Sequence, residues 1–237
     1  AFTTLTTLEP AIRQAMAAMQ QRGPDGEGFW QEEGVYLGHR RLAILDLDPR
    51  AAQPMQSVCG RYLLAFNGEI YNFRELKADL QAEGVAFRTE SDSEVILALY
   101  ARHGGDMLPL LRGMFALVIW DTQARRGFAA RDPYGIKPLY YAQTAEGVWF
   151  GSQVKALLAT GRIDNAPCPE GQAGFWQLGS VPEPHTWYAA IKALPAGHCM
   201  HFSEGSLVSA PQAWWRIADD FQANGLPVLS EAELRSR

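Results

Sequence analysis

The sequence has no long run of one charge sign and no basic stretch interleaved with aromatics. A nucleic-acid partner, which needs such a basic footprint, therefore has no support. The 21 Lys+Arg against 26 Asp+Glu leave a formal net charge of −5. No apolar stretch approaches the ~20 residues that span a bilayer. The N-terminus lacks the basic-then-apolar layout of a signal peptide. No membrane partner and a cytoplasmic location are expected. Cysteine is scarce: Cys59, Cys168 and Cys199 are an odd number at wide spacing, which fits a reducing compartment without a disulfide framework or a metal cluster. The histidines show no metal-ligand spacing beyond His198/His201. That pair sits in an alternating, strand-like run, so no metal site is expected. No internal repeat is visible.

What is present is ordinary globular material: 237 residues, 47% hydrophobic and 20% charged, enough for one large or two small domains with a sizeable core. A first helix is predicted from Leu8 to about Gln21. Thr6 or Thr7 would cap it, with Pro10 in the first turn and Ile12, Met16 and Met19 as its core stripe. Arg22-Gly23-Pro24-Asp25-Gly26 then reads as a tight loop. Strands are predicted at Gly34 to Leu37, Arg41 to Leu47, Tyr62 to Phe66, Phe115 to Trp120, Phe128 to Arg131, Leu139 to Tyr141 and Val148 to Phe150. A hairpin is predicted around Ser203-Glu204-Gly205. Helices are predicted from Asn72, with Glu75 completing a capping box. Others should start near Ser91 to Glu94, at Ser152 to Thr160 and near Glu170 to Leu178. Most strand-to-strand links are too short for crossover helices, which argues for antiparallel sheets with helices on the outer faces. After Trp214-Trp215, Ala218 to Pro227 reads as a linker and Ser230 to Arg237 as the start of a further helix.

Four polar clusters sit at predicted element ends, where functional groups are usually presented. They are Arg22 to Gly26, His39 to Asp46, Asn67-Gly68-Glu69-Ile70-Tyr71-Asn72, and Ser91-Asp92-Ser93-Glu94. Each has a plain alternative. Asn-Gly is a common hairpin turn, Asp25 can organise a loop, and Arg41 can pair on the surface. Asp92 can serve as a helix N-cap, and Arg131-Asp132 can be an ion pair before a turn. Together they suggest more. An amino-acid ligand needs a guanidinium for its carboxylate and a carboxylate for its ammonium; Arg41 and Asp92 supply both. Asn67 and Gly68 add two donors for an oxyanion. That set suits cleavage of a glutamine side-chain amide.

The runs RGPDGEG, HRRLAILD, FNGEIYN, SDSEVILALY, LRGMFALVIWD, RDPYGIKPLYY and FGSQVKALL, in this order, resemble the glutaminase domain of glutamine-hydrolysing asparagine synthetases. These are class II glutamine amidotransferases. The likeness covers roughly residues 20 to 216. It implies an α+β fold, the N-terminal-nucleophile hydrolase four-layer α/β/β/α sandwich with two antiparallel sheets. It implies a glutaminase domain over residues 1–213, with 214–237 a linker and the start of an ATP-dependent synthetase domain. By resemblance, Arg41, Leu42 and Ile44 line the glutamine pocket, Asn67 and Gly68 form the oxyanion hole, and Glu69 and Asp92 hold the ligand amine. Glutamine and the synthetase domain are the implied partners, and a homodimer is compatible. No cofactor is implied for this chain; ATP and magnesium are implied for the full-length enzyme.

The resemblance also implies a Cys-Gly-Ile start, with the thiol as nucleophile and its own α-amine as base. This sequence begins Ala1-Phe2-Thr3-Thr4, and the chain as given is expected to be inactive without that Cys. Three explanations stand beside one another: residues missing ahead of Ala1, an expression scar, or natural loss of activity in a structural or docking domain. A third function remains open, an amidotransferase of cell-surface polysaccharide biosynthesis. Two departures from the family pattern are Gln21 for His and Gln153 for Glu, the latter expected to face the synthetase domain.

Overall fold

The computed structural model describes residues 8–42, 49–203 and 206–219. The predicted caps Thr6 and Thr7, the pocket residue Ile44, the Arg41 to Leu47 strand beyond Leu42 and the predicted C-terminal linker from residue 220 lie outside the described residues.

A long sheet forms the spine. Its strands are β3 (Met55–Gln56), β4 (Tyr62–Ile70), β5 (Gly113–Asp121), β6 (Arg126–Arg131), β10 (His198–Ser203) and β11 (Ser206–Leu207), in the order β11-β10-β6-β5-β4-β3. A short strand β12 (Gln212–Ala213) also pairs β10. A three-stranded sheet, β8-β7-β9, is built from β7 (Tyr140–Thr144), β8 (Gly147–Gly151) and β9 (Lys192–Ala193). Both sheets are antiparallel throughout.

The unbroken apolar run of β5 is explained by burial on both faces. Successive side chains point to opposite sides. Phe115, Leu117 and Ile119 join one core with Leu64, Phe66, Phe128, Val95, Ile96 and Leu80. Ala116 and Val118 join another with Tyr141, Leu194, Met200 and Phe150. The first core lies under α2 (Phe73–Ala82) and α3 (Asp92–His103). The second lies between the two sheets. Beyond the small sheet, Ala142 and Trp149 pack with Ala11, Ile12, Leu157 and Val154, from α1 (Glu9–Ala18) and α4 (Val154–Ala159). The layers are therefore helix, sheet, sheet, helix, as expected. A fifth helix, α5 (Pro169–Leu178), follows α4.

Several local expectations needed correction. A third antiparallel unit is a hairpin of β1 (Gly26–Glu32) and β2 (Val35–Arg41). β1 begins at Gly26, the last residue of the run predicted as a tight loop. The N-cap of α1 is Leu8, with no side-chain cap bond. The Asn72/Glu75 capping box does not form. The Asn72 carboxamide instead donates to the Leu110 carbonyl and accepts from Arg112 N–H, both at 3.0 Å. Trp214 completes the first core: its ring stacks on Phe115 and its indole N–H donates to the Arg131 carbonyl at 3.1 Å.

Candidate functional site

A cavity of about 700 Å³ opens inside the sandwich, lined among others by Arg41, Leu42, Asn67, Gly68 and Asp92. The fold thus brings together five of the seven expected site residues. Glu69 is half-buried on β4 and does not line the cavity, although its charge reaches Asp92. Ile44 lies outside the described residues.

The Asn67-Gly68 pair is not at a strand end. β4 runs on to Ile70, with Asn67 opposite Ala116, Gly68 opposite Phe115 and Ile70 opposite Gly113. The hairpin reading is therefore overturned, and the glycine has another cause. A Cβ on Gly68 would sit 2.2 Å from the Met114 carbonyl oxygen and 2.8 Å from Phe115 Cα. Only a hydrogen atom fits there.

The strand also sorts its own N–H groups. β3 covers β4 only at Leu63 and Leu64, so the edge beyond is open. N–H direction alternates along a strand, and Phe66, Gly68 and Ile70 all donate toward that edge. Phe66 N–H meets the Gln53 side-chain oxygen at 2.6 Å. Ile70 N–H meets Asp92 Oδ2 at 3.1 Å. Between them, Gly68 N–H has no acceptor among the described residues. The Asn67 carboxamide, on the face toward the small sheet, likewise makes no hydrogen bond to them. Two donors are thus left at one point of the cavity wall, and such a pair stabilises a developing oxyanion.

Asp92 is not the helix cap. Ser91 takes that role, accepting from Ser93 N–H at 3.2 Å, and Asp92 is the first helical residue. Glu94 secures the preceding loop by accepting from Arg88 N–H, Thr89 N–H and the Thr89 hydroxyl. Asp92 is left facing Ile70 and the cavity. Burial pushes its carboxyl pKa above the usual range, with the Glu69 charge adding to the shift; the bonds from Ile70 and Ser93 N–H oppose it. A carboxylate in this state gains from an arriving cation.

The Arg22 to Gly26 loop positions β2. A Cβ on Gly23 would lie 2.4 Å from the Arg40 carbonyl carbon, Asp25 N–H donates to the Arg41 carbonyl, and Arg40 donates to Gly23 O and Glu27. Arg40 is thereby tied to Gly23 and Glu27, and both Arg40 and Arg41 line the cavity. His39 beside them is held neutral: burial brings its imidazole down to about 4, against a hydrogen bond to the Phe66 backbone. Gln53 and Lys137 also line the cavity. Gln53 arrives from a loop distant in sequence and carries no local signal, whereas Lys137 lies within the RDPYGIKPLYY run. The alternative of an Arg131–Asp132 ion pair does not form; each side chain binds loop backbone instead. Gln153 has its side-chain oxygen buried without a partner among the described residues. None of the three cysteines lines the cavity.

Residues 2–215 match the family described as "Glutamine amidotransferase domain". The chain belongs to this family. An asparagine synthetase [glutamine-hydrolyzing] 1 of Bacillus subtilis is 36% identical over 95% of this chain and 34% of that protein. An asparagine synthetase [glutamine-hydrolyzing] 3 of the same organism is 35% identical over 80% of this chain and 31% of that protein. The chain spans about a third of the length of these curated relatives. A solved glutamine phosphoribosylpyrophosphate amidotransferase from B. subtilis superposes with a TM-score of 0.63 at 20% identity, over 85% of this chain and 46% of that one. That likeness carries the fold, which for this amidotransferase domain is the N-terminal-nucleophile hydrolase sandwich. Among the described residues, no helix is long and apolar enough to cross a membrane.

Proposed function

We propose that this amidotransferase domain binds glutamine and releases its side-chain ammonia to a C-terminal, ATP- and magnesium-dependent domain that amidates aspartate to asparagine in the cytoplasm. The observation that carries the reading is Gly68 N–H, held at an open strand edge between two N–H groups already taken by Gln53 and Asp92. Gly68 and Ile70 N–H lie roughly 7 Å apart along the strand. Asp92 therefore sits about one extended glutamine side chain from the oxyanion donors. Arg41 takes the α-carboxylate, Asp92 takes the ammonium with the Glu69 charge behind it, and the amide carbonyl points at Asn67 and Gly68. A thiolate supplied by a Cys-Gly-Ile start adds to the amide carbon. The C=O electron pair moves onto oxygen and is held by the two donors. The α-amine of that Cys, which took the thiol proton, returns it to the amide nitrogen as collapse expels ammonia, and water then releases glutamate from the thioester. The names of the asparagine synthetase relatives support the acceptor.

Calorimetric titration of the chain with L-glutamine should show one site, with D-glutamine and glutaric monoamide far weaker. Equal binding of the monoamide, which lacks the ammonium, would overturn the assignment of Asp92. A version beginning Cys-Gly-Ile should release glutamate; if it binds glutamine but stays inactive, the oxyanion assignment fails.

Asp92→Asn separates recognition from folding. The amide keeps an oxygen for Ile70 N–H but loses the charge, so glutamine affinity should fall at least ~30-fold, about 2 kcal/mol. Stability should hold or rise at neutral pH. The sign follows from the raised carboxyl pKa: the native state prefers the protonated acid, so this group's contribution is complete at low pH and lost as pH rises through the raised value. Glutamine affinity of the unmodified chain should run the other way, falling as pH drops through that value. A large loss of melting temperature with affinity intact would return Asp92 to a purely structural role.

A further inference from the structure

A second cluster lies away from the cavity, at the start of α5. Cys168 is buried and is the N-cap residue; its Sγ accepts from Gly171 N–H at 3.4 Å. Glu170 Oε2 lies 3.5 Å from that sulfur and His185 Nδ1 lies 3.7 Å from it. All three ligand atoms fall within 4.8 Å of one another. From the structure we infer that Cys168, Glu170 and His185 form a binding site for a borderline-soft divalent cation of the zinc type.

The two distances from the sulfur are those of a coordination shell. With Zn–S near 2.3 Å and Zn–N or Zn–O near 2.0–2.1 Å, tetrahedral angles put sulfur about 3.6 Å from each harder ligand. Both sulfur distances match this edge length. The donor set of thiolate, imidazole and carboxylate favours zinc over magnesium or calcium, which prefer oxygen alone. Cys168 enters as the thiolate, its proton passing to water. Glu170 is exposed, so the fourth position faces solvent.

The ligands are assembled in advance by packing that owes nothing to an ion. A Cβ on Gly171 would meet the Thr186 carbonyl oxygen at 2.2 Å, and one on Gly174 would meet the Pro182 ring at 2.3 Å. Cys168 N–H donates to the Trp187 carbonyl at 2.9 Å. These contacts clamp the first turns of α5 onto the loop that carries His185. The same loop carries Glu183, which pairs with Arg131 at 2.6 Å. A bound ion would brace the loop whose Glu183 holds Arg131, which in turn donates to the carbonyl of the cavity residue Lys137, and is given a structural role on that ground.

The test is titration of the chelator-treated chain with Co²⁺, followed by absorption. One equivalent should bind with an intense thiolate-to-cobalt charge-transfer band, and Zn²⁺ should displace it and raise the melting temperature. Cys59→Ser should behave like the parent. Cys168→Ser should lose the band. His185→Ala should bind at least ~100-fold more weakly, and it gives an independent reading if Cys168→Ser fails to fold by circular dichroism. Absence of the band in the parent, its survival in Cys168→Ser, or unchanged affinity in His185→Ala would each overturn the site. None of these readouts depends on glutamine.

Discussion

Asn67→Ala, in a version of the chain beginning Cys-Gly-Ile, is expected to lower the rate of glutamate release by ~10²–10³-fold, about 2.7–4 kcal/mol of transition-state stabilisation. The loss should fall on kcat, with KM changed little. In the ground state the amide carbonyl carries only partial charge. In the tetrahedral intermediate it carries a full one, inside a cavity where water cannot substitute for a missing donor. An interaction made only in the transition state has this kinetic signature. Folding should be untouched, because the carboxamide makes no hydrogen bond to the described residues. Gly68 N–H remains, so activity should not vanish. A matched rise in KM with kcat intact would place Asn67 in ground-state binding instead. Stopped-time glutamate assays across substrate concentration, with a melting curve of the same variant, decide the matter.

Asp132→Ala should cost about 4 kcal/mol of stability and lower the melting temperature by roughly 10 °C or more. Asp132 is fully buried. One oxygen accepts from Tyr134 and Ile136 N–H and the other from Phe115 and Lys137 N–H, at 3.0–3.1 Å. Removing it strands four donors, only some of which water can reach. Asp132→Asn should be nearly as harmful, since its NH₂ must confront two of those N–H groups. The effect should also reach the cavity. Phe115 is the strand partner of Gly68, and Lys137, Pro138 and Leu139 form part of the wall. Glutamine affinity should therefore weaken alongside stability. A variant with native melting temperature would show the loop to be held by other contacts.

Much of the fold was legible because its cause is local. The continuous apolar residues of β5 require burial on both faces wherever its neighbours lie. The helix starting after Ser91 is written in its cap and its apolar residues. The motifs and their order were enough to indicate the amidotransferase fold. Elsewhere a local rule competes with a distant partner and loses. Asn67-Gly68 satisfies the hairpin rule, yet pairing with β5 continues through it. Asn72 and Glu75 fit the capping box, yet Asn72 finds backbone partners at Leu110 and Arg112. Asp92 suits an N-cap, yet Ser91 supplies the oxygen. The cluster of Cys168, Glu170 and His185 has no recognisable ligand spacing, because His185 arrives on a loop beyond α5.

The sequence by itself determined which chemical groups the domain holds, the side chains that form its core, and the family to which it belongs. These follow from composition, periodicity and motif order, which belong to the chain alone. Only the tertiary structure decided which of those groups face the cavity. N–H groups alternate in direction along β4, and their assignment depends on where β3 stops and which side chains reach the open edge. Gln53 takes one donor and Asp92 takes another, leaving the Gly68 N–H between them. That selection is a property of register and packing, to which residues far apart in sequence contribute together.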